Sequence, residues 1–153
     1  MNAQAFAPSQ PGNFRIPDAP KDWFSYPLRF QSVAELAVPT QNIQIDAGSD
    51  FYLTALTYFA TVNGSTSVLT VSSVGVPVVT ALITDSGSNR QLMNAPVPIS
   101  LIFGDGNHPH RLIHPRLFFR NSTITVALSS INTAADTTWD NIWLNFEGFR
   151  IYS

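Results

Sequence analysis

The chain has no cysteine. A disulfide framework, a thiolate metal site and cysteine-based catalysis are all excluded. Lysine is nearly absent too, with Lys21 alone. Charged residues make up only 12% of the 153 positions, about half the usual share of a soluble domain. The formal net charge is -2 and no basic stripe exists, which argues against nucleic-acid binding through phosphate neutralisation. No apolar run approaches the roughly 20 residues of a spanning helix. Met1 to Pro11 lacks the positive start and apolar stretch of a signal peptide. The expectation is a chain made and folded in the cytoplasm, with no membrane partner.

What remains is β-structure chemistry. Threonine, serine, asparagine, phenylalanine and proline are abundant, and apolar residues reach 44%. From about Thr40 to Tyr152, short alternating runs are separated by Gly, Pro, Asn and Asp. Ile43 and Ile45 point one way, Asn42, Gln44 and Asp46 the other. In Phe51 to Val62, simple alternation sets Phe51, Leu53, Ala55, Thr57 and Phe59 on one face. Tyr52, Thr54, Leu56, Tyr58 and Val62 then take the other. Asn63-Gly64 is a hairpin-turn signal, with Ser67 to Val71 as the return strand. Val76 to Thr84 is β-branched, and Asp85 to Asn89 closes it. Arg90 to Met93 and Val97 to Phe103 read as short strands, and Gly104 to Pro115 as a loop. Thr123 to Ser129 alternates, with Ile124, Val126 and Leu128 inward. Ile131 to Trp139 is a polar connection. Asn141 to Tyr152 is the last strand, with Ile142, Leu144 and Phe146 on one face. Gly148 marks a bulge within it. Val33 to Ala37 fits either a helical turn ended by Pro39 or a short edge strand.

These seven to nine strands with Gly/Pro turns predict an all-β fold. An antiparallel β-sandwich of jelly-roll-like type is the first expectation and an immunoglobulin-like sandwich the second. Residues 1-27 differ from the rest. They hold five prolines and no period, yet also Phe6, Phe14, Ile16, Trp23, Phe24 and Tyr26. Proline suits neither helix nor central strand, and a disordered tail would be poor in aromatics. An extended N-terminal arm is expected there, docking Phe6, Phe14 and Trp23 on neighbouring chains, with the β-sandwich domain in 28-153.

Four stretches of the last third have a shared rhythm. They are Pro98-Ile99-Ser100-Leu101-Ile102-Phe103-Gly104, Leu112-Ile113-His114-Pro115-Arg116-Leu117-Phe118, Asn121-Ser122-Thr123-Ile124-Thr125-Val126-Ala127-Leu128, and Ile142 to Tyr152. This resembles small β-sandwich virion proteins of tailed bacteriophages. In these a proline-led apolar strand precedes an R-N-S-x-I-x-V-x-L strand and a final strand ending near x-G-x-R/K. The resemblance covers about Ile99 to Tyr152. It implies a decoration, cement or minor capsid protein, located in the virion and assembled in the host cytoplasm. The implied partners are copies of itself, a trimer favoured, and the major capsid or other virion proteins. It implies no catalytic residue and no cofactor.

The residues that could do chemistry fit blander roles. His108, His110 and His114 share one stretch with Asp105, but their spacing matches no zinc signature. A metal there would be needed for an enzyme reading. No serine sits in a Gly-x-Ser-x-Gly elbow. Asp136, Asp140 and Glu147 are the only candidates for paired glycosidase carboxylates, and they read as solvated or interfacial. Asp46, Asp50, Asp85 and Asp105 fall in turns, where a side-chain oxygen holds the backbone. The chain is therefore expected not to be an enzyme. Seven arginines carry nearly all the positive charge. Arg111 and Arg116, with Arg120, are candidates for bidentate pairing across an interface. Trp139 and Trp143 lie four apart, which in a regular strand sets both on one side. With Asn141, Asn145 and Glu147 they suit an interface with aromatic anchors. The same face also suits a sugar platform, so a carbohydrate- or receptor-binding module of a tail or spike is the alternative.

Overall fold

A computed structural model describes residues 21-34, 37-62, 79-130 and 139-152. Among these, nine strands and one helical turn follow in order. They are β1 (Lys21–Val33), β2 (Thr40–Gln44), β3 (Ser49–Val62), β4 (Val79–Asp85), β5 (Arg90–Gln91), β6 (Val97–Pro98), α1 (Ile99–Ile102), β7 (His110–Phe118), β8 (Thr123–Ser130) and β9 (Trp139–Tyr152). The first sheet has the order β1-β9-β3-β7. The second has the order β2-β8-β4-β5, and β6 also pairs β4. β5 and β6 thus form one interrupted edge strand along β4.

Strands from opposite ends of the chain pair: β1 with β9, β2 with β8, β3 with β7. That winding is the jelly-roll arrangement, and it decides against the immunoglobulin-like alternative. The two inner faces meet through alternating residues, as packed antiparallel sheets require. On β8, Ile124, Val126 and Leu128 are fully buried while Thr123, Thr125, Ala127 and Ser129 are partly exposed. On β9, Ile142, Leu144 and Phe146 are fully buried. Ile43 and Ile45 also face inward as expected. Phe51 stacks on Phe118 at 6.4 Å between centroids, and Phe103 meets Phe146 edge-on at 5.8 Å. Burying each such side chain contributes about 1.5–3 kcal/mol before entropy is counted.

Two irregularities overturn simple alternation. The register of β3 against β9 slips by one residue between Leu53 and Ala55. Before the slip Phe51 and Leu53 face the core; after it Leu56 and Ala60 do, and Phe59 is exposed. A bulge adds one residue to one strand, so every later side chain changes face. Thr54 Oγ1 donates to the Glu147 carbonyl at 3.1 Å across the bulge. The sequence places a bulge at Gly148 within the last strand; the structure puts the extra residue on β3, with Gly148 standing opposite. A Cβ there would lie 1.9 Å from the Tyr52 carbonyl oxygen, so only glycine allows this approach.

The second irregularity lies at Ser32, whose φ is 51°. Phe30 and Val33 both face the core, although they are three apart. Across the sheet, β9 breaks alternation in the same place, and the β3–β9 register shifts again between Thr61 and Val62. Trp139 is buried in the core as a result.

Three further expectations change. β1 runs through the boundary expected at 27/28, so residues 21-27 are sheet rather than arm. Pro27 sits there because β1 is an edge strand, where a missing N–H need not break a ladder. Tyr26 packs edge-on against Phe51 at 4.9 Å, which ties this stretch to the core. Val97 to Phe103 is not one strand: it closes into α1 after Pro98, burying Ile99. The expected loop is shorter, since β7 begins at His110. The Asn63-Gly64 turn, Ser67 to Val71, most of the Ile131–Trp139 connection and arm residues 1-20 lie outside the described residues.

Ile124→Ala or Leu128→Ala should cost about 2–5 kcal/mol in denaturant unfolding, whereas Thr125→Ala should cost little. Gly148→Ala should cost about 1–3 kcal/mol or more, since it forces the bulge apart.

Candidate functional site

The histidines do not converge. Among the described residues, no three His, Asp or Glu side chains come close enough together to hold a metal ion. His108 Nδ1 lies 3.3 Å from Asp105, with a side chain 88% exposed. His110 and His114 stand on β7, also exposed. Asp105 Oδ1 accepts the backbone N–H of His108 at 2.6 Å and of Asn107 at 2.9 Å. The His108 N–H bond, foremost, holds this carboxyl below its ordinary value.

The other turn aspartates do similar work and also take arginines. Asp85 is fully buried, and it accepts from Gly87 N–H at 2.9 Å and the Ser88 hydroxyl at 2.5 Å. Arg116 reaches over from the first sheet, 3.7 Å from Asp85 and 3.2 Å from Ser88 Oγ. Asp50 accepts from the backbone and side chain of Arg120. Arg150 lies 3.6 Å from Asp46, over the Phe24 ring and bonded to the Tyr26 hydroxyl. The pairing expected of Arg116 across an interface is therefore found within the chain. Arg111 is exposed on β7.

The outer face of the first sheet holds Trp23, Phe59 and Trp143, three of the exposed aromatics among the described residues, with Phe119 and Tyr152 lying outside its rows. The strand registers align five rows across β1, β9 and β3. Trp23, Phe149 and Tyr52 form one; Ser25, Glu147 and Ala55 the next; then Pro27, Asn145 and Thr57; then Arg29, Trp143 and Phe59; then Gln31, Asn141 and Thr61. Arg29 and Glu147 are the only charged residues in these rows. Trp23 is 64% exposed, Phe59 42% and Trp143 38%. The middle rows are knitted by side chains. Ser25 Oγ donates to Asn145, and Asn145 Nδ2 and Thr57 Oγ1 each donate to Glu147 Oε1 at 3.0 Å. Arg29 donates to Asn141 Oδ1 at 2.7 Å and lies 5.2 Å from the Trp143 ring centroid. These five rows are thus nearly neutral, and aromatic at two places.

The second sheet's outer face is different. Thr40, Asn42 and Gln44 on β2, Thr123, Thr125, Ala127 and Ser129 on β8, and Thr80, Leu82 and Thr84 on β4 line it. None is charged and none is aromatic.

Comparisons of the chain with family models, with curated proteins and with solved structures each return no match. Of the interface residues expected from sequence, Phe6 and Phe14 lie outside the described residues. Trp23 and Trp143 share the aromatic face. Trp139 does not join them: the break in alternation turns it into the core, so the pair of indoles on one side does not exist. Sequence reasoning missed Phe59 and Arg29. Phe59 was hidden by the bulge, which parts it from Phe51 and Leu53, the residues it shares a face with under simple alternation. Arg29 has a signal in its alternation with the apolar Leu28 and Phe30.

Arg116→Ala should cost about 1–3 kcal/mol, because the buried Asp85 carboxylate loses the positive charge 3.7 Å from it and Ser88 Oγ loses a donor. Arg111→Ala should change stability by less than about 0.5 kcal/mol. Urea unfolding of both variants makes the comparison.

Proposed function

We propose that this chain is a structural protein that works by contact with other chains, as a decoration, cement or minor capsid component of a bacteriophage virion. The observation that supports the reading best is the outer face of the first sheet. Three exposed aromatics stand on five rows of β1, β9 and β3 that hold two charges, Arg29 and Glu147, with Lys21 and Asp50 in the row beyond and Arg111 at the β7 side. The jelly roll itself is a common capsid architecture. The resemblance of Ile99 to Tyr152 to small phage virion proteins agrees with it. Arg116 and Arg150 are drawn into ion pairs that bridge the sheets at the rim, which leaves the second sheet's outer face uncharged and the middle of the first with two charges. The partners are copies of this chain, a trimer favoured, and major capsid or other virion proteins. No nucleic acid or membrane takes part, and no reaction is catalysed. The place of action is the virion, assembled in the host cytoplasm.

A carbohydrate- or receptor-binding role is the second reading. Trp143 favours it, beside the amides of Asn141 and Asn145. It is the weaker one, because Trp139 is absent from the face and Arg29 already lies on the Trp143 ring.

At micromolar concentration the full chain should run as an oligomer in native mass analysis, or bind purified capsids of the phage concerned. The double variant Trp143→Ala, Phe59→Ser should weaken association; because both side chains are partly buried it should also cost about 1–3 kcal/mol of stability, so a retained β-sheet circular-dichroism signal is the check that it is folded. A monomer that binds no capsid would sink the structural reading. Trp143-dependent binding on a glycan array would replace it with the second.

A further inference from the structure

The aromatic face needs an occupant, and the chain itself contains a segment suited to it. We infer that residues 1-20 of one copy lie across the Arg29–Trp143–Phe59 row of a second copy, so that neighbours are joined by exchanged arms. This rests on the assembly reading above and adds which segment meets which surface.

Composition supplies the first argument. Residues 1-20 contain Phe6, Phe14 and Ile16, with Pro8, Pro11, Pro17 and Pro20 between and after them. Four prolines rule out a helix and a fully bonded strand. Such a segment builds no core of its own and buries its aromatics only against another surface. Phe14 and Ile16 are two apart, which in extended chain puts both on one side. Arg15 and Asp18 are its only charged side chains, so it is neutral overall. The receiving rows are neutral as well, with Arg29 balanced by Glu147 and, in the row beyond, Lys21 by Asp50, while Arg111 stands to one side on β7. Contact between them is apolar and meets no charge repulsion.

The second argument is where the segment enters. Lys21 begins β1, at the edge of the first sheet, opposite Ile151. The Arg29 row lies eight residues further along β1, about 26 Å away at strand rise. To reach its own Trp143 the segment must reverse beside Lys21 and run back over β1. Going straight on, it leaves its own subunit. Twenty residues span up to about 70 Å when extended, ample to cross a neighbour's sheet. Pro17 and Pro20 hold the residues before them extended, which favours the straight course.

The absence of cysteine makes the test clean, because each introduced thiol is unique. Full-length Arg15→Cys, bearing a mass tag, is mixed with full-length Gln31→Cys and treated with a short bis-maleimide. Gln31 is exposed in the row next to Arg29. The expected product is a covalent adduct of one tagged and one untagged chain. It should be lost when Phe14→Ser and Ile16→Ser are added to the tagged chain. It should also be lost when Asn42→Cys, on the second sheet, replaces Gln31→Cys. In the double variant Arg15→Cys, Gln31→Cys, linkage confined within single chains would overturn exchange in favour of self-covering. An oligomer in native mass analysis that yields no adduct would overturn the arm's placement and leave the assembly reading standing. A monomer that binds no capsid would overturn both.

Discussion

The ladder between β3 and β9 is the contact on which the rest depends. It runs from Ser49 opposite Tyr152 to Val62 opposite Trp139. β9 is the last described strand in chain order, yet it sits inside the first sheet with β1 on its other side. Until β9 is in place, β1 and β3 are separate strands with apolar faces and no shared partner. The first sheet therefore closes only through contacts of long sequence separation. Such topologies fold slowly and expose strand edges while they wait. β7 is attached to β3 alone, so it too has no fixed place until β3 is aligned.

The same ladder decides which side chains meet water. One inserted residue near Thr54, matched by the missing Cβ of Gly148, changes the facing of everything after it on β3. Leu56 and Ala60 fill the interior and Phe59 is turned out beside Trp143. A regular ladder would reverse this, burying Phe59 and exposing Leu56. The aromatic patch on the outer face is thus a product of the bulge. Bulges are often retained where a strand must re-aim a side chain, and here the re-aimed side chain is one of the largest on the surface.

Where the chain keeps strict period 2, its fold is legible from sequence. Ile124, Val126 and Leu128 on β8 and Ile142, Leu144 and Phe146 on β9 fall inward as the alternation predicts. The all-β class and the sandwich follow from many such runs. Face assignments fail where an irregularity intervenes. Trp139 and Trp143 share parity, but the break near Ser32 and Asn141 sends one inward and leaves the other out. Gly148 betrays the first bulge, whereas no glycine marks the second. Ile99 to Ile102 is apolar and short, a pattern that does not separate strand from helical turn. Arginine partners are illegible for another reason. Asp85 and Arg116 lie on different sheets, so nothing local in sequence links them.

That separation of charge from the faces has a mechanical meaning. Arg116 on β7 meets Asp85 at the end of β4, and Arg150 on β9 meets Asp46 just after β2. Both pairs bridge the two sheets at the rim of the sandwich. Arg150–Asp46, half-exposed at the aspartate, contributes about 0–1 kcal/mol, and Arg116, which faces the buried Asp85, somewhat more, so both are minor beside the core. Their geometry does more than their energy. Each arginine held at the rim is one that does not stand on an outer face. The second sheet's outer face is left with threonine, serine, asparagine, glutamine, alanine and leucine, and the middle of the first with Glu147 and an Arg29 lying on its tryptophan, further charges standing only towards its margins at Lys21, Asp50 and Arg111. A surface emptied of charge in this way loses the usual protection against association. For a free-standing domain that is a liability. For a subunit whose broad faces are covered by neighbours it is what close contact requires, because few ions must be stripped of water when the surfaces meet, and Arg29 and Glu147 already have partners within the chain.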